Sequence, residues 1–168
     1  MFYRWIVIIY AIISLAFLIS CSNESASSPQ SYKSDSYPDV SYSYTVSELE
    51  VLDLINNYRI ANGLNILEKI DYVSIKSEEH NNYMIITNSV THNGFVSRSE
   101  DIIKVLGAQK IAENIAYNYR SPKGVFDAWI KSPEHKKNII GDFTNFGISI
   151  RQNTDKSKIY YTNIFVKK

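Results

Sequence analysis

The sequence predicts an α+β fold, and three observations carry that expectation. Segments of helical period with start and stop signals succeed one another between Ser47 and Ile139. One run of strand-like alternation, Lys110 to Tyr119, interrupts them, and the chain closes on two alternating runs that read as a hairpin. Helices first and paired strands last favour separate layers over the repeating strand-helix-strand units of a doubly wound parallel sheet. With 168 residues, 45% hydrophobic and 21% charged, the chain has room for one domain with a proper core once its N-terminal stretch is set aside.

Met1 to Ser20 reads as a lipoprotein signal peptide. Arg4 supplies the positive start and Trp5 to Ile19 an almost unbroken apolar run of signal-peptide length. An uncleaved membrane anchor is the alternative, but Leu18-Ile19-Ser20-Cys21 is similar to the bacterial lipobox, with a small residue before the only cysteine. Cleavage there leaves acyl chains on Cys21. One chain anchors marginally, whereas several, at roughly 0.8 kcal/mol per buried CH₂, hold firmly to a membrane. The expected location is therefore the cell envelope, exported and lipid-anchored. A lipidated Cys21 leaves no thiol for a disulfide, so core packing alone has to hold the fold.

Residues 21–45 read as a disordered tether rich in serine and tyrosine, with no helical or strand period and little aliphatic surface to offset ordering entropy. Tyr32, Tyr37, Tyr42 and Tyr44 fall in it and read as part of a solvated spacer. The charge balance is uninformative about partners: Lys and Arg number 18 against 17 Asp and Glu, and losing Arg4 with the signal makes them equal. There is no basic footprint for nucleic acid.

The domain, residues 46–168, opens with a helix. Ser47 and Glu50 have the spacing of a capping box, Val51, Leu52, Ile55 and Tyr58 recur at helical intervals, and Ala61-Asn62-Gly63 supplies the stop. A second helix is predicted from about Asp71 to Asn88, burying Tyr72, Ile75, Tyr83 and Ile86. His80 lies on its polar turn as a surface or boundary residue. Thr91 to Phe95 reads as a turn, because Asn93-Gly94 tolerates positive φ. A third helix is expected to be capped by Ser97, with Glu100 three residues on, and to stop at Gly107.

Lys110 to Tyr119 alternates as a half-buried strand in which Glu113 is the anomaly. A carboxylate among apolar residues needs a cation, a metal or hydrogen-bond donors to offset its desolvation. Ser121-Pro122 starts a fourth helix that buries Val125, Phe126, Trp129 and Ile130. Ser132-Pro133 starts a short fifth one, with Glu134 and His135 in its first turn, where a carboxylate suits the helix dipole. Phe146 to Gln152 and Lys158 to Val166 form the closing hairpin.

The segments Thr91-His92-Asn93-Gly94-Phe95, Ala112-Glu113-Asn114-Ile115-Ala116 and Trp129-Ile130-Lys131-Ser132-Pro133-Glu134-His135, in that order, resemble motifs of the CAP superfamily. This superfamily, also named for its SCP domain, comprises the cysteine-rich secretory, antigen 5 and pathogenesis-related proteins. The resemblance runs from about Ser47 to Phe165 and is strongest to the disulfide-free bacterial branch. It implies a three-layer α-β-α sandwich around an antiparallel sheet, with a cleft built from two histidines and two glutamates. His92, Glu113 and His135 map onto matching motifs. The fourth member has no clear match; Glu134 is adjacent but projects about 100° away around the helix from His135. Two departures stand out: Ala112 replaces a glycine usual before the glutamate, and Glu134 replaces a glycine common in bacterial relatives.

What the resemblance implies about function is divided. Two imidazoles and a carboxylate suit zinc or another divalent metal with a position left open, so His92, Glu113 and His135 are candidate ligands, with Glu134 as a further one. The expected function is a binding or interaction module for a lipid, an envelope component or a protein. The alternative is a metal-dependent hydrolase or protease using the same cleft, with His92, Glu113 and His135 as its catalytic groups. Against the alternative, the chain offers no evident nucleophile: the sole cysteine is taken by the anchor, and no Gly-x-Ser-x-Gly elbow is present.

Overall fold

The computed structural model describes residues 39–168; Cys21 and the segments read above as a signal peptide and, up to residue 38, as a tether lie outside them. In chain order the elements are α1 (Val46–Ala61), β1 (Glu68–Lys69), α2 (Asp71–Thr87), α3 (Phe95–Leu106), β2 (Lys110–Tyr117), α4 (Pro122–Lys131), α5 (Pro133–Ile139), β3 (Asn145–Gln152) and β4 (Ile159–Lys167). The sheet order is β1-β3-β4-β2. The class is α+β, as expected.

The sheet is mixed, however, and not antiparallel throughout. β4 pairs antiparallel with both β2 and β3, but the two-residue β1, which the sequence reading missed, pairs parallel with β3. Two residues are too few for alternation to show.

Strand alternation sends two sets of side chains into two cores. Phe146, Ile148, Tyr161 and Phe165 meet Val51, Leu52 and Ile55 of α1 and Val125 and Trp129 of α4. On the other face Ile164 and Val166 meet Val73 of α2 and Ile102 and Leu106 of α3. β2 is covered on both faces, Glu113 and Asn114 alike being buried, so the half-buried strand of the sequence reading is corrected. It stops at Tyr117 because Asn118 turns left-handed at φ 61°.

Several starts differ by a residue or two. α1 is capped by Thr45 with Glu48, not by Ser47 with Glu50; the Thr45 hydroxyl accepts from the Glu48 amide and the Glu48 carboxylate from the Thr45 amide. α3 starts at Phe95, with Gly94 (φ 74°) as its N-cap and no side-chain cap, so Ser97 lies inside the helix. Positive φ in that turn falls on Gly94 alone and not on Asn93. α4 follows the reading: Ser121 caps it, accepting from Gly124, and Pro122 begins it.

α2 buries a different face from the one predicted. Tyr83 and Ile86 are exposed, whereas Val73, Ser74, Ser77, His80, Asn81 and Met84 are buried. The physical reason is that β1 ends after two residues and leaves β3 with an open edge. The amide of Ile148 donates to Ser74 Oγ and that of Ile150 to Glu48 Oε1, so side chains replace a missing strand. Asn81 donates to the Ser149 carbonyl and accepts from Thr162. Gly147 lets α2 lie this close: a Cβ there would sit 2.4 Å from the Ser74 nitrogen and 2.6 Å from the Val73 carbonyl carbon.

The ordered domain also reaches further toward the N-terminus than residue 46. Tyr42 is buried and its hydroxyl donates to Glu48; Tyr44 bonds Ser74 across the layers. These two tyrosines therefore belong to the core and not to the tether.

Candidate functional site

Glu113 is the centre of the site. Its side chain is 1% exposed and both oxygens are engaged. Oε1 accepts from His92 Nδ1 at 2.9 Å, and Oε2 accepts from Arg98 Nε at 2.9 Å and Nη2 at 2.7 Å. The guanidinium fork gives the carboxylate its cation, so the demand for a partner read from the sequence is met inside the protein.

The local folding explains who arrives. The turn at Gly94 carries His92 to the end of β2 and starts α3 so that Arg98 lies in its first turn. The Thr91 carbonyl accepts from His80 Nε2 at 2.8 Å, which pins the residue next to His92 to α2. His80 Nε2 is also 3.9 Å from Glu113 Oε1.

α5 is held from two sides. Asn114 donates to the His135 carbonyl, while Asn138 donates to Asn114 Oδ1 and to the Glu113 carbonyl. At the other end of α5 the buried Arg59 guanidinium donates to the carbonyls of Ile139 and Gly141, orphan acceptors of a helix C-terminus.

The proton positions follow from the partners. A carboxylate that takes two N–H groups of a guanidinium is an acceptor only, so His92 carries a proton on Nδ1, and its Nε2 is not used in this contact. With its side chain 53% exposed, His92 also faces solvent. Burial keeps both His80 and His135 below the ordinary histidine range; at His135 the neighbouring His92 adds to the effect, and Glu134 opposes it.

The structure thus brings His92 and Glu113 into contact and places His135 near enough for its titration to feel His92. Glu134 is exposed on α5 and touches the site only through this charge effect. Two residues that sequence reasoning did not place here are Arg98 and His80. A signal for Arg98 was available: a cation in the first turn of a helix opposes the dipole and implies a carboxylate nearby. For His80 the signal was its spacing from Ser77, Asn81 and Met84, which puts it on their face.

The expected divalent metal does not fit this donor set. Three N–H groups face Glu113, both of its oxygens accept, and a guanidinium already stands beside it, so a dication there meets repulsion. Among the described residues no group of three or more His, Cys, Asp or Glu side chains is arranged to hold a metal ion. Two depressions flank the site. A polar one of about 300 Å³ between α2 and α3 is lined by Lys76, Glu79, Tyr83, Asn93 and Asp101 and reaches His80 and Arg98. The other, of about 330 Å³, lies between β2 and α4, with Tyr119, Trp129 and His135 on its walls.

Comparison with known proteins follows the same outline. An uncharacterized membrane protein of Bacillus subtilis is 30% identical over 131 residues, covering 74% of this chain and 35% of that protein, so the chain spans about a third of that relative's length. An outer surface protein of Borrelia burgdorferi shares the fold, with a TM-score of 0.66 at 22% identity over 75% of this chain and 96% of that one. An extracellular SCP-domain protein of Bacillus anthracis does so with a TM-score of 0.62 at 24% identity, over 76% of this chain and 45% of that one. Residues 52–166, which hold the whole His92–Glu113–Arg98 site, match the model of the cysteine-rich secretory protein family, and the chain belongs to this CAP family.

Proposed function

We propose that this chain is an envelope-anchored CAP lipoprotein whose cleft binds a ligand without turning it over. The observation that supports binding over hydrolysis is the enclosure of Glu113. A general base has to reach its substrate, and this carboxylate is 1% exposed with both oxygens held by His92 and Arg98. Recognition then falls to the exposed groups around it, the His92 ring and the walls beside His135, Trp129 and Tyr119. The ligand class that fits is an envelope component, a lipid or a protein offering a polar group to His92.

Turnover is the direct test. The protein is incubated with fluorescein-labelled casein, p-nitrophenyl esters and purified murein, with and without zinc. No product is expected; product formation that disappears in Glu113→Gln replaces the binding reading with the hydrolase.

Anchoring through Cys21 is supported by the lipobox-like Leu18-Ile19-Ser20-Cys21 and by relatives described as a membrane, an outer surface and an extracellular protein. In bacteria fed an alkyne fatty acid, the protein should take up the label and sediment with membranes. Cys21→Ala should lose the label; label retained in that variant overturns the lipoprotein reading.

A further inference from the structure

β2 lies at one edge of the sheet, and the hydrogen-bonding direction of its main chain alternates along it. The Asn118 amide donates to the Ile159 carbonyl at 2.8 Å, and in the same register Ala116 faces Tyr161 and Asn114 faces Asn163. Even-numbered residues of β2 therefore bond β4, and Glu113, Ile115 and Tyr117 turn their main-chain groups away from the sheet. Two of these outward carbonyls are served: Asn138 donates to that of Glu113 and Trp129 Nε1 to that of Ile115. The amides are not. Among the described residues no acceptor meets the N–H of Glu113, Ile115 or Tyr117.

β3 is treated differently. Its outward amides at Ile148 and Ile150 are met by Ser74 Oγ and Glu48 Oε1. Exposed edges are also commonly blunted by shortness, proline or charge. β2 has eight residues and no proline, and Arg98 neutralises Glu113, the one charge in its middle.

We infer that the outer edge of β2 is a docking edge for an extended polypeptide segment of a partner protein. Main-chain carbonyls of the segment accept from Glu113, Ile115 and Tyr117, and one of its side chains enters the depression between β2 and α4. This rests on the binding reading above and narrows its ligand to a protein. The occupant follows from the spacing: successive outward amides are two residues, about 6.8 Å, apart, the repeat at which an extended chain presents its alternate carbonyls and a lipid tail presents nothing. The depression, of about 330 Å³, begins on Ile115 and Tyr117 and is walled by Tyr119 and Trp129, which gives room for one large apolar side chain. The Ser132 hydroxyl and the His135 ring in its lining have no hydrogen-bond partner among the described residues and are free to fix a polar group. A second copy of β2 is a poor partner, because its carbonyls at Glu113 and Ile115 already accept from Asn138 and Trp129.

The test uses the full chain in detergent micelles, isotope-labelled for NMR. A phage-displayed library of random dodecapeptides is selected on it, and one selected peptide, synthesised, is the probe. In the free protein the amide hydrogens of Glu113, Ile115 and Tyr117 should exchange with solvent faster than those of Asn114 and Ala116. At saturation with the probe they should slow by at least about tenfold, and their proton resonances should move downfield. Tyr117→Pro deletes one outward amide without touching the β4 ladder, a position at which edge strands admit proline. It should weaken the probe about tenfold, the worth of one hydrogen bond at the upper end of the usual net range. Should that variant fail to fold, Tyr119→Ala decides: it trims an exposed wall of the depression and should weaken the probe by about tenfold at an unchanged melting temperature.

A probe that binds while these three amides keep their exchange rates overturns the inference, and so does a selection that yields no peptide. Protection of the same amides without probe, growing with protein concentration, overturns it in favour of a second copy. A lipid or glycan bound at His92 where no peptide binds would sink the docking edge and leave the binding module standing, whereas cleavage of the docked probe would sink the binding module and leave the docking edge.

Discussion

Among the described residues two carboxylate side chains are buried, and each oxygen of both accepts at least one hydrogen bond. Glu113 holds the cleft; Glu48, 0% exposed, holds the far end of the sheet, where its oxygens accept from the Tyr42 hydroxyl, the amides of Ile150 and Thr45, and Arg151. Replacing Glu48 by alanine strands four donors at once, and a loss of about 3–5 kcal/mol is expected from urea denaturation, as for breaking a buried ion pair. The histidines set a pH dependence. Burial holds His80 and His135 below the ordinary value of 6.5, so the unfolded chain binds protons that the fold refuses. Stability from these two groups is complete above pH 6.5 and falls as pH drops below it. Melting temperature should therefore decline from pH 7.5 to pH 5, less steeply in His80→Gln; a melting temperature that climbs on acidification contradicts this assignment. At this scale the contact of His92 with Glu113 was legible because each lies in a motif. Arg98 and His80 were not, because their partners lie 15 and 11 residues away in chain and only the fold joins them.

At the scale of elements, the sequence reading places all five helices and the three long strands, since each has either a cap, a glycine stop or a clean alternation. It misjudges α2, where the face that looks hydrophobic is in part the exposed one. Apolar periodicity reports burial only when the buried surface is apolar, and here Ser74, Ser77 and Asn81 are inside because β3 needs hydrogen bonds along its open edge. The close approach this requires rests on Gly147. Gly147→Ala places a methyl group against the α2 backbone at a separation that no side-chain rotation relieves. The expected cost is about 3 kcal/mol, the upper range for overpacking. Chemical denaturation measures it; a variant as stable as wild type would mean that α2 rides further from the sheet than 2.4 Å to a built Cβ implies.

At the scale of the whole domain, the boundary matters more than composition suggests. Serine and tyrosine richness continues through residue 44, so nothing local separates tether from fold, and the reading that starts the domain at residue 46 follows helix propensity alone. Yet the short strap Asp39 to Thr45 ties both layers. Tyr42 bonds Glu48 of α1 and receives Arg151 of β3, its ring packs edge-on against Tyr44 at 4.8 Å, and Tyr44 reaches Ser74 of α2. Burial of the Tyr42 hydroxyl keeps its proton on through the whole physiological range, so it remains a donor to Glu48. Cutting at Val46 removes the Thr45 cap, about 1 kcal/mol, and a buried tyrosine, about 2 kcal/mol. It also uncovers the Glu48–Arg151 pair. A chain beginning at Val46 should thus be less stable by about 3 kcal/mol than one beginning at Asp39, read as a lower urea midpoint with an unchanged slope. Equal midpoints would show that the strap merely lies on the surface. A lower midpoint would show that residues 39–45 have a fixed seat on α1, α2 and β3 and belong to the fold as much as the layers that carry Glu113 do.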